Sequence, residues 1–253
     1  MNFDFTGKTI LVTGAASGIG AASARMLAEA DAAKLVLVDV NGDALDTPGL
    51  ACETACHAGD VADEALWDRI EAAGDTFDAA VLNAGIAGEN APIVKATLDN
   101  WKRVTAVNYD GAFLSLRTAM RQAAEGASIV LTASVTGVKA EAGIAAYASS
   151  KAGVIHLAKV AAKEGARNGI RVNAIAPGGV DTAIWDGVPF FEDLVAKHQG
   201  DRAGALATMA AQGTPLGRFA TAEEIAGQIM FLLSDLSAGI TGSTLVTDGG
   251  YRL

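Results

Sequence analysis

Short apolar runs of strand length alternate with longer alanine-rich stretches of helical period, and this alternation constrains the fold more than any other feature of the sequence. The pattern predicts strands over residues 8–13, 34–39, 51–57, 77–82, 128–133, 170–175 and 245–247, and helices over 18–30, 63–73, 98–124, 147–168 and 221–234. Repeated strand–helix–strand units form parallel sheets, and right-handed crossovers place helices on both faces. We therefore predict one α/β domain over 1–253, doubly wound around a mainly parallel central sheet.

Two places depart from this regular alternation. Asn108 lies in the middle of the predicted helix 98–124, where Asn is a poor helix former, so we expect a bend there. Residues 183–213 form a long stretch between a strand and a helix, and insertions of that length usually have a function. We expect this stretch to act as a mobile substrate-binding loop or lid. The alternative is that its aromatic side chains pack onto their own domain or onto another subunit.

Composition and charge exclude several classes of function. The formal net charge is −10, the sequence pI is about 4.7, and no run of Lys or Arg is present. Proteins that bind nucleic acids or anionic membranes need a basic face. No apolar run reaches the roughly 18 residues of a membrane span, and the N-terminus has no signal-peptide pattern. We expect a cytoplasmic protein without nucleic-acid or membrane partners.

The two cysteines, Cys52 and Cys56, predict neither a disulfide nor a metal site. Residues four apart on one strand lie about 13 Å from each other, which is too far for a disulfide. His57 is adjacent, but no second Cys or His cluster completes a zinc site. We expect both thiols to be reduced and buried, in agreement with a cytosolic protein.

A glycine-rich turn follows the first predicted strand and opens the first helix. It has the sequence TGAASGIG over residues 13–20, with the spacing G-x-x-x-G-x-G. Gly14 allows the sharp turn, Gly18 lets a pyrophosphate approach the backbone, and Gly20 lets the helix pack closely on the sheet. The turn predicts a dinucleotide site in a Rossmann fold, and the alternative is a glycine-rich turn without a ligand. The cofactor-binding candidates in this turn are Gly14, Ser17, Gly18, Ile19 and Gly20.

Asp39 ends the second predicted strand, nineteen residues after Gly20. A carboxylate about 20 residues after the turn accepts a hydrogen bond from the ribose 2′-hydroxyl of NAD. It would also repel the 2′-phosphate of NADP. No Lys or Arg lies within 15–19 or directly after Asp39 to attract that phosphate. The sequence therefore favours NAD, unless Asp39 is merely a strand-end residue.

Two later strand ends carry further cofactor-binding candidates. Asp60 and Val61 follow the third strand, where we expect them to receive the adenine ring. Asn83, Ala84 and Gly85 follow the fourth strand, at the edge where an open α/β sheet binds ligands. Both groups are also ordinary turn residues, so their assignment depends on the glycine turn.

Tyr147 and Lys151 are four residues apart at the start of a predicted helix and share one face. Lowering the pKa of a tyrosine by about three units takes roughly 4 kcal/mol. One ammonium about 4 Å away supplies that much at an effective dielectric constant near 20, so the pair can form a general base. Ser134 ends the fifth strand and is placed to hold a substrate oxygen. Asn108 could bind a water that connects Lys151 to solvent; the alternative is a solvent-facing helical Asn.

These motifs, in this order and spacing, make the sequence similar to the classical short-chain dehydrogenase/reductase family over almost the whole chain. The resemblance also includes YASSK at 147–151 and PGGVDT at 177–182. The sequence departs from the family at Leu82, where the family often has Asn, and in a shortened second helix within 41–50. Neither departure removes a catalytic group.

The resemblance implies a role for each matching residue. Tyr147 would be the general acid/base, and Lys151 would lower its pKa and hold the nicotinamide ribose. Ser134 would position the substrate oxygen, and Asn108 would maintain a proton-relay water. The residues implied around the nicotinamide are Pro177, Gly178, Val180 and Thr182.

The implied reaction is reversible hydride transfer between NAD and a small secondary alcohol or ketone, without a metal. A 3-oxoacyl thioester reductase is the nearest alternative, although such enzymes usually use NADP and a basic patch for their carrier. A non-catalytic dinucleotide sensor is less favoured, because all four catalytic residues are present. The resemblance further implies a homotetramer, built on helices 98–124 and 147–168 and on the last helix and strand.

Overall fold

The structure is a computed structural model that describes residues 3–45 and 49–253. Within these residues, strands form one sheet in the order β3-β2-β1-β4-β5-β6-β7, and each neighbouring pair is parallel. The strands are β1 (Thr9–Thr13), β2 (Lys34–Asp39), β3 (Glu53–Ala58), β4 (Phe77–Leu82), β5 (Ala123–Thr132), β6 (Arg171–Pro177) and β7 (Thr244–Thr247). The α-helices are α1 (Gly18–Glu29), α2 (Glu64–Ala73), α3 (Leu98–Thr105), α4 (Gly111–Arg121), α5 (Ala145–Gly165), α6 (Pro189–Lys197), α7 (Arg202–Gly213) and α8 (Ala222–Leu233).

Alternate side chains of the central strands enter two separate apolar layers, one on each face of the sheet. Leu11 of β1 belongs to the layer that α2, α4 and α5 cover, together with Trp67 and Val154. Its neighbour Val12 belongs to the layer that α1 and α8 cover, together with Leu27. This two-sided burial confirms the predicted doubly wound α/β fold.

The long helix predicted over 98–124 is interrupted where the sequence indicated a bend. α3 and α4 are joined by one turn of π-helix, Ala106–Asp110, with Asn108 at its centre. α4 ends at Arg121 rather than at residue 124, because Ala123 already pairs with Phe77 of β4. β5 is therefore longer at its start than the sequence predicted.

The segment 183–213, for which the sequence predicted a substrate-binding loop or lid, contains two helices, α6 and α7. Pro189 occupies the first turn of α6, and the Asp201 carboxylate caps α7 by accepting from the Gly204 N–H. Trp185 stacks on Phe219 with ring centroids 5.7 Å apart and also contacts the buried Phe191. Trp185 and Phe191 thus pack onto their own domain, which was the alternative to a mobile lid, whereas Phe190 is exposed.

Two smaller expectations concern the edge of the sheet. Cys52 precedes β3 rather than lying within it, and Cys56 is exposed, so the prediction that both thiols are buried was wrong. The reason is that β3 is an edge strand with few apolar side chains. The shortened second helix is a 3₁₀ turn at Gly42–Ala44, and residues 46–48 lie outside the described ranges. In the described part of the chain, no helix is both long and apolar enough to cross a bilayer.

Candidate functional site

The glycine turn between β1 and α1 leaves the first amides of α1 open. Gly14 and Gly18 have φ angles of +66° and +52°, which side-chain-bearing residues rarely adopt. A Cβ at Gly20 would overlap the carbonyl oxygen of Gly14. Ser17 is the N-cap residue, but its side chain makes no capping hydrogen bond to the first turn. The N-terminus of α1 therefore keeps donors for an anion, which fits the pyrophosphate of a dinucleotide.

Thr13 ties this turn to the end of β4, a role that the sequence reasoning missed. Its buried hydroxyl accepts from the N–H groups of Asn83 and Ala84, at 2.9 and 3.1 Å. The Asn83 side-chain nitrogen lies 2.9 Å from where a Cβ at Gly14 would be. Asn83 thus fills the space that the glycines leave, which brings these two predicted groups together.

Asp39 lies beside the glycine turn, where the sequence placed it. One carboxylate oxygen accepts from the Ala16 N–H at 3.0 Å, and the other accepts from the Asn41 N–H at 2.9 Å. Both bonds hold the half-buried carboxylate in one orientation at the end of β2. A negative charge is therefore fixed next to the start of α1.

Asp60 and Val61 are less open to a ligand than the sequence suggested. The Asp60 carboxylate is exposed and accepts from the Ala62 N–H in its own turn. The Val61 side chain is buried, and a Cβ at Gly111 would collide with it. The Val61 carbonyl accepts from the Trp67 indole at 2.8 Å. The side chain of Val61 is thus part of the core, and adenine binding at Asp60 and Val61 stays a prediction.

Ser134 and Tyr147 lie together between the end of β5 and the first turn of α5. The Ser134 oxygen accepts from both the N–H and the hydroxyl of Thr136, at 3.2 and 3.0 Å. Its own proton is then free to be donated to the Tyr147 oxygen. Burial raises the pKa of Tyr147, and the hydrogen bond with Ser134 opposes that rise.

Lys151 is buried one turn further along α5. Its ammonium donates to the Thr132 carbonyl at 2.9 Å and lies 5.8 Å from the centroid of the Tyr147 ring. Burial lowers the pKa of Lys151 to about 8. Without a cofactor, burial raises the pKa of Tyr147 above its usual value. The expectation that Lys151 lowers the pKa of Tyr147 stays a prediction for the cofactor-bound protein.

Asn108 is fully buried, so it is not a solvent-facing helical residue. Its side chain accepts from the Ile86 N–H at 2.8 Å and donates to the Ile86 carbonyl at 2.9 Å. A Cβ at Gly85 would lie 3.1 Å from the Lys151 nitrogen and 3.2 Å from the Asn108 oxygen. Gly85 thus leaves room between Lys151 and Asn108. The side-chain amide of Asn108 already forms hydrogen bonds with the backbone of Ile86, which follows β4.

The segment 177–182 is held close to the start of α1. A Cβ at Gly178 would collide with Asp248, and one at Gly179 with the Phe219 ring. The methyl group of Thr182 lies 3.2 Å from where a Cβ at Gly18 would be. A cavity of about 460 Å³, which we call the α1–α8 cavity, is lined by Ala16, Ser17, Gly18, Ala21, Arg25, Asp181, Thr182, Ala183, Thr221, Ala222 and Glu223.

The C-terminal segment packs on the residues between Ser134 and Tyr147, a contact that nothing in the sequence indicated. The Tyr251 hydroxyl donates to the Glu141 carboxylate, and this bond raises the pKa of Tyr251 to about 12. The Lys139 ammonium donates to the Tyr251 carbonyl at 2.7 Å. Both contacts involve Tyr251, so the C-terminal segment holds 139–141 at two points.

Comparison with known proteins extends these observations to the whole chain. The model of a family described as enoyl-(acyl carrier protein) reductase matches residues 14–252. Cis-4-hydroxycyclohexanecarboxylate dehydrogenase of Sinomonas cyclohexanicum is 40% identical, with 98% of this chain and 97% of that protein covered. D-threitol dehydrogenase of Mycolicibacterium smegmatis is 37% identical over 100% and 96%, and cyclohexanol dehydrogenase of an Acinetobacter species is 34% identical over 99% and 97%.

Solved structures show the same architecture with two different cofactors. Carveol dehydrogenase from Mycobacterium avium, in complex with NAD, superposes with a TM-score of 0.89 at 26% identity, covering 99% of both chains. L-sorbose reductase from Gluconobacter frateurii, complexed with NADPH and L-sorbose, gives a TM-score of 0.88 at 29% identity, covering 99% of this chain and 98% of that one. The likeness therefore indicates a dinucleotide without deciding which one.

Proposed function

This chain belongs to the classical short-chain dehydrogenase/reductase family and is an oxidoreductase, and from that premise we propose that it passes a hydride between NAD and a secondary alcohol or ketone on a small ring. The observation that carries the proposal is the group formed by Ser134, Tyr147 and buried Lys151 at the carboxyl edge of the sheet. That edge also holds the glycine turn, and ligands of open α/β sheets bind there.

Ser134, Tyr147 and Lys151 each have a separate role at the substrate oxygen. Bound NAD would supply a ring that accepts or returns the hydride. Tyr147 takes the proton of the substrate hydroxyl during oxidation and returns it to the ketone oxygen during reduction. Ser134 has a donor proton because Thr136 fills its acceptor positions, and it orients the substrate oxygen toward the phenol. Lys151 keeps a positive charge beside the ring and favours the phenolate.

The choice of NAD rests on Asp39. Its carboxylate is fixed by two backbone N–H groups, so it cannot easily turn away from a ligand at the glycine turn. A ribose 2′-hydroxyl can donate to it, whereas a 2′-phosphate would meet a negative charge. The N-terminal amides of α1 fit the pyrophosphate. Asn83 lies beside Gly14, Thr182 beside Gly18, and Gly85 beside Lys151.

Replacing Asp39 by Ala should relax the cofactor preference. We expect Asp39→Ala to lower kcat/KM with NAD and to raise it with NADP, so that the NAD/NADP ratio falls by at least about tenfold, as removal of one charge repulsion would allow. Steady-state kinetics with both cofactors measure the ratio. Asp43→Ala, in the same exposed region, is the matched control for the loss of one negative charge. An unchanged ratio in Asp39→Ala would remove Asp39 from the cofactor site.

A ring-bearing, largely apolar substrate suits the side chains around this edge. Val138 follows Ser134, Ile184 and Phe190 belong to the segment 183–213, and Leu216 follows that segment; all four are exposed. Two of the relatives above are named for alcohols of a cyclohexane ring. We propose that 183–213 covers such a substrate and excludes water from it, and that the whole chain works as one catalytic domain.

A panel of substrates tests the proposed function directly. It should contain cyclohexanol, cis-4-hydroxycyclohexanecarboxylate, D-threitol and a 3-oxoacyl thioester, each followed through nicotinamide absorbance with NAD or NADH. We expect the ring alcohols to give a kcat/KM at least about tenfold above the others, the discrimination that apolar contacts can supply. Preferred turnover of the thioester would favour an acyl reductase, toward which the description of the matching family points. No turnover with firm NAD binding would favour a sensor.

We also propose a cytoplasmic homotetramer. Leu98, Trp101, Tyr109 and Phe113 form an exposed apolar row along α3, the π turn and α4, and Val160 is exposed on α5. An apolar row of this kind on adjacent helices suits burial against a second copy of the chain. Sedimentation equilibrium measures the mass, and a monomer that persists at micromolar concentration would contradict the proposal.

A further inference from the structure

Arg202, at the start of α7, is attached by three hydrogen bonds to the turn that follows β6. Its guanidinium donates to Asp181 at 2.7 Å, to Asp186 at 3.0 Å and to the Thr182 carbonyl at 2.9 Å. It also lies over the ring of Phe191, 5.7 Å from the centroid. The planar group is thus fixed by four contacts, and the segment 183–213 is joined to 181–182 through it.

The turn that Arg202 holds forms part of the wall opposite α1. Asp181 and Thr182 line the α1–α8 cavity together with Ser17 and Gly18. Thr182 contacts the position above Gly18, the residue at which α1 begins. Any anion bound at the first amides of α1 would therefore lie close to the Asp181 carboxylate.

This arrangement creates an electrostatic conflict that Arg202 resolves. The cavity combines a helix N-terminus, which attracts phosphate, with a carboxylate, which repels it. Arg202 supplies the positive charge that offsets Asp181 and Asp186. Without it, the Asp181 carboxylate would face the pyrophosphate uncompensated, whereas Glu223, the other carboxylate that lines the cavity, keeps its partner Arg25.

We infer that Arg202 is a positioning residue for the cofactor: it neutralises Asp181 and holds Thr182 against the start of α1, so that the segment 183–213 and the nicotinamide half of the dinucleotide are ordered together. This inference rests on the proposed cofactor site. The ion pairs of Arg202 are partly exposed, with side-chain exposures of 37% for Arg202 and 55% for each Asp. Such pairs add little to global stability, so binding and stability can be separated experimentally.

The first test compares two ligands by calorimetric titration: NAD and adenosine, which has the adenine and its ribose but no phosphate. In Arg202→Met we expect the Kd of NAD to rise at least about tenfold, as when one partner of a charge pair beside a ligand is removed. The Kd of adenosine, which brings no negative charge to the start of α1, should stay within about twofold. Arg218→Met is the matched control, because Arg218 forms an equally short pair with Glu224 in the neighbouring segment.

A double variant distinguishes charge compensation from a general loss of structure. Arg202→Met with Asp181→Asn removes both the cation and the carboxylate that it offsets. We expect this double variant to recover part of the NAD affinity lost in Arg202→Met. An equal rise in Kd for both ligands, or no recovery in the double variant, would overturn the role in compensating charge.

Hydrogen exchange in the ligand-free protein tests the positional part. We expect Arg202→Met to speed amide exchange of the peptide that contains 181–186 at least about tenfold, with little change in β1 or β4. Because no ligand is present, this result decides the positional role whichever dinucleotide the enzyme uses, and even if hydride transfer itself were disproved. Unchanged exchange at 181–186 would overturn it.

Discussion

Tyr147→Phe should reduce kcat for alcohol oxidation by about a hundredfold to ten-thousandfold, the range that one general acid/base contributes. The variant loses only the phenol oxygen and keeps the ring, so the packing at the start of α5 and the NAD site should stay intact. We expect the Kd of NAD to remain within about threefold and the Tm within about 2 °C, since a deletion of one hydroxyl without a cavity changes stability little. Stopped-flow kinetics, NAD titration and calorimetry measure the three quantities.

Tyr109→Phe is the matched control for this experiment. Tyr109 lies on the π turn, its ring packs beside Gly153 of α5, and it is partly exposed. Loss of its hydroxyl should leave kcat unchanged within about twofold, as for an exposed substitution. Tyr147→Phe activity within tenfold of the native rate would show that another group moves the proton. A loss of NAD binding in Tyr147→Phe would instead indicate a structural role.

Arg171→Met should destabilise the protein by about 2–4 kcal/mol, since several carbonyl groups would lose a charged donor. Arg171 begins β6, and its guanidinium donates to the carbonyls of Leu232, Leu233 and Ser234, at 2.8 to 3.1 Å. These carbonyls lie at the C-terminal end of α8, where a cation is also favoured by the helix dipole. The Met side chain keeps the apolar stem but supplies no donor. Urea unfolding measures the change in free energy.

Arg69→Met provides the comparison for Arg171. Arg69 is exposed on α2 and donates to the Ala65 carbonyl of its own helix, so its loss should cost less than about 0.5 kcal/mol. If Arg171→Met also cost under about 1 kcal/mol, water would be replacing the guanidinium, and the C-terminal end of α8 would not depend on Arg171.

The parts of the site that sequence could predict are those with local causes. The glycine turn, Asp39 and the irregularity at Asn108 each follow from what one residue type can do at one place in a strand–helix unit. Gly14 and Gly18 indeed have positive φ angles, and Asn108 indeed lies where the helix is irregular. Such features depend on backbone conformation and chain order, which a sequence displays directly.

Contacts between residues far apart in the chain could not be predicted from such local patterns. Thr13 accepts from amides 70 and 71 residues away, and Arg171 caps a helix that ends more than 60 residues later. Periodicity does not specify such pairs, because each partner is an ordinary strand-end or surface residue by itself. The helices α6 and α7 were missed for another reason: Gly187, Gly200 and Gly213 divide the segment into short stretches that lack a clear period.

The π turn at Ala106–Asp110 sets a rule for insertions and deletions in this chain. A π turn contains one residue more than the α-helical turn it replaces, and one residue corresponds to about 100° of helix rotation. Deleting a single residue there would therefore leave an ordinary α-helical turn, with Phe113 and the rest of α4 in nearly the same orientation, whereas deleting a second residue would rotate them by about 100° relative to α3. This stretch can therefore lose one residue without turning α4, at the expense of the local widening around Asn108, but it cannot lose two.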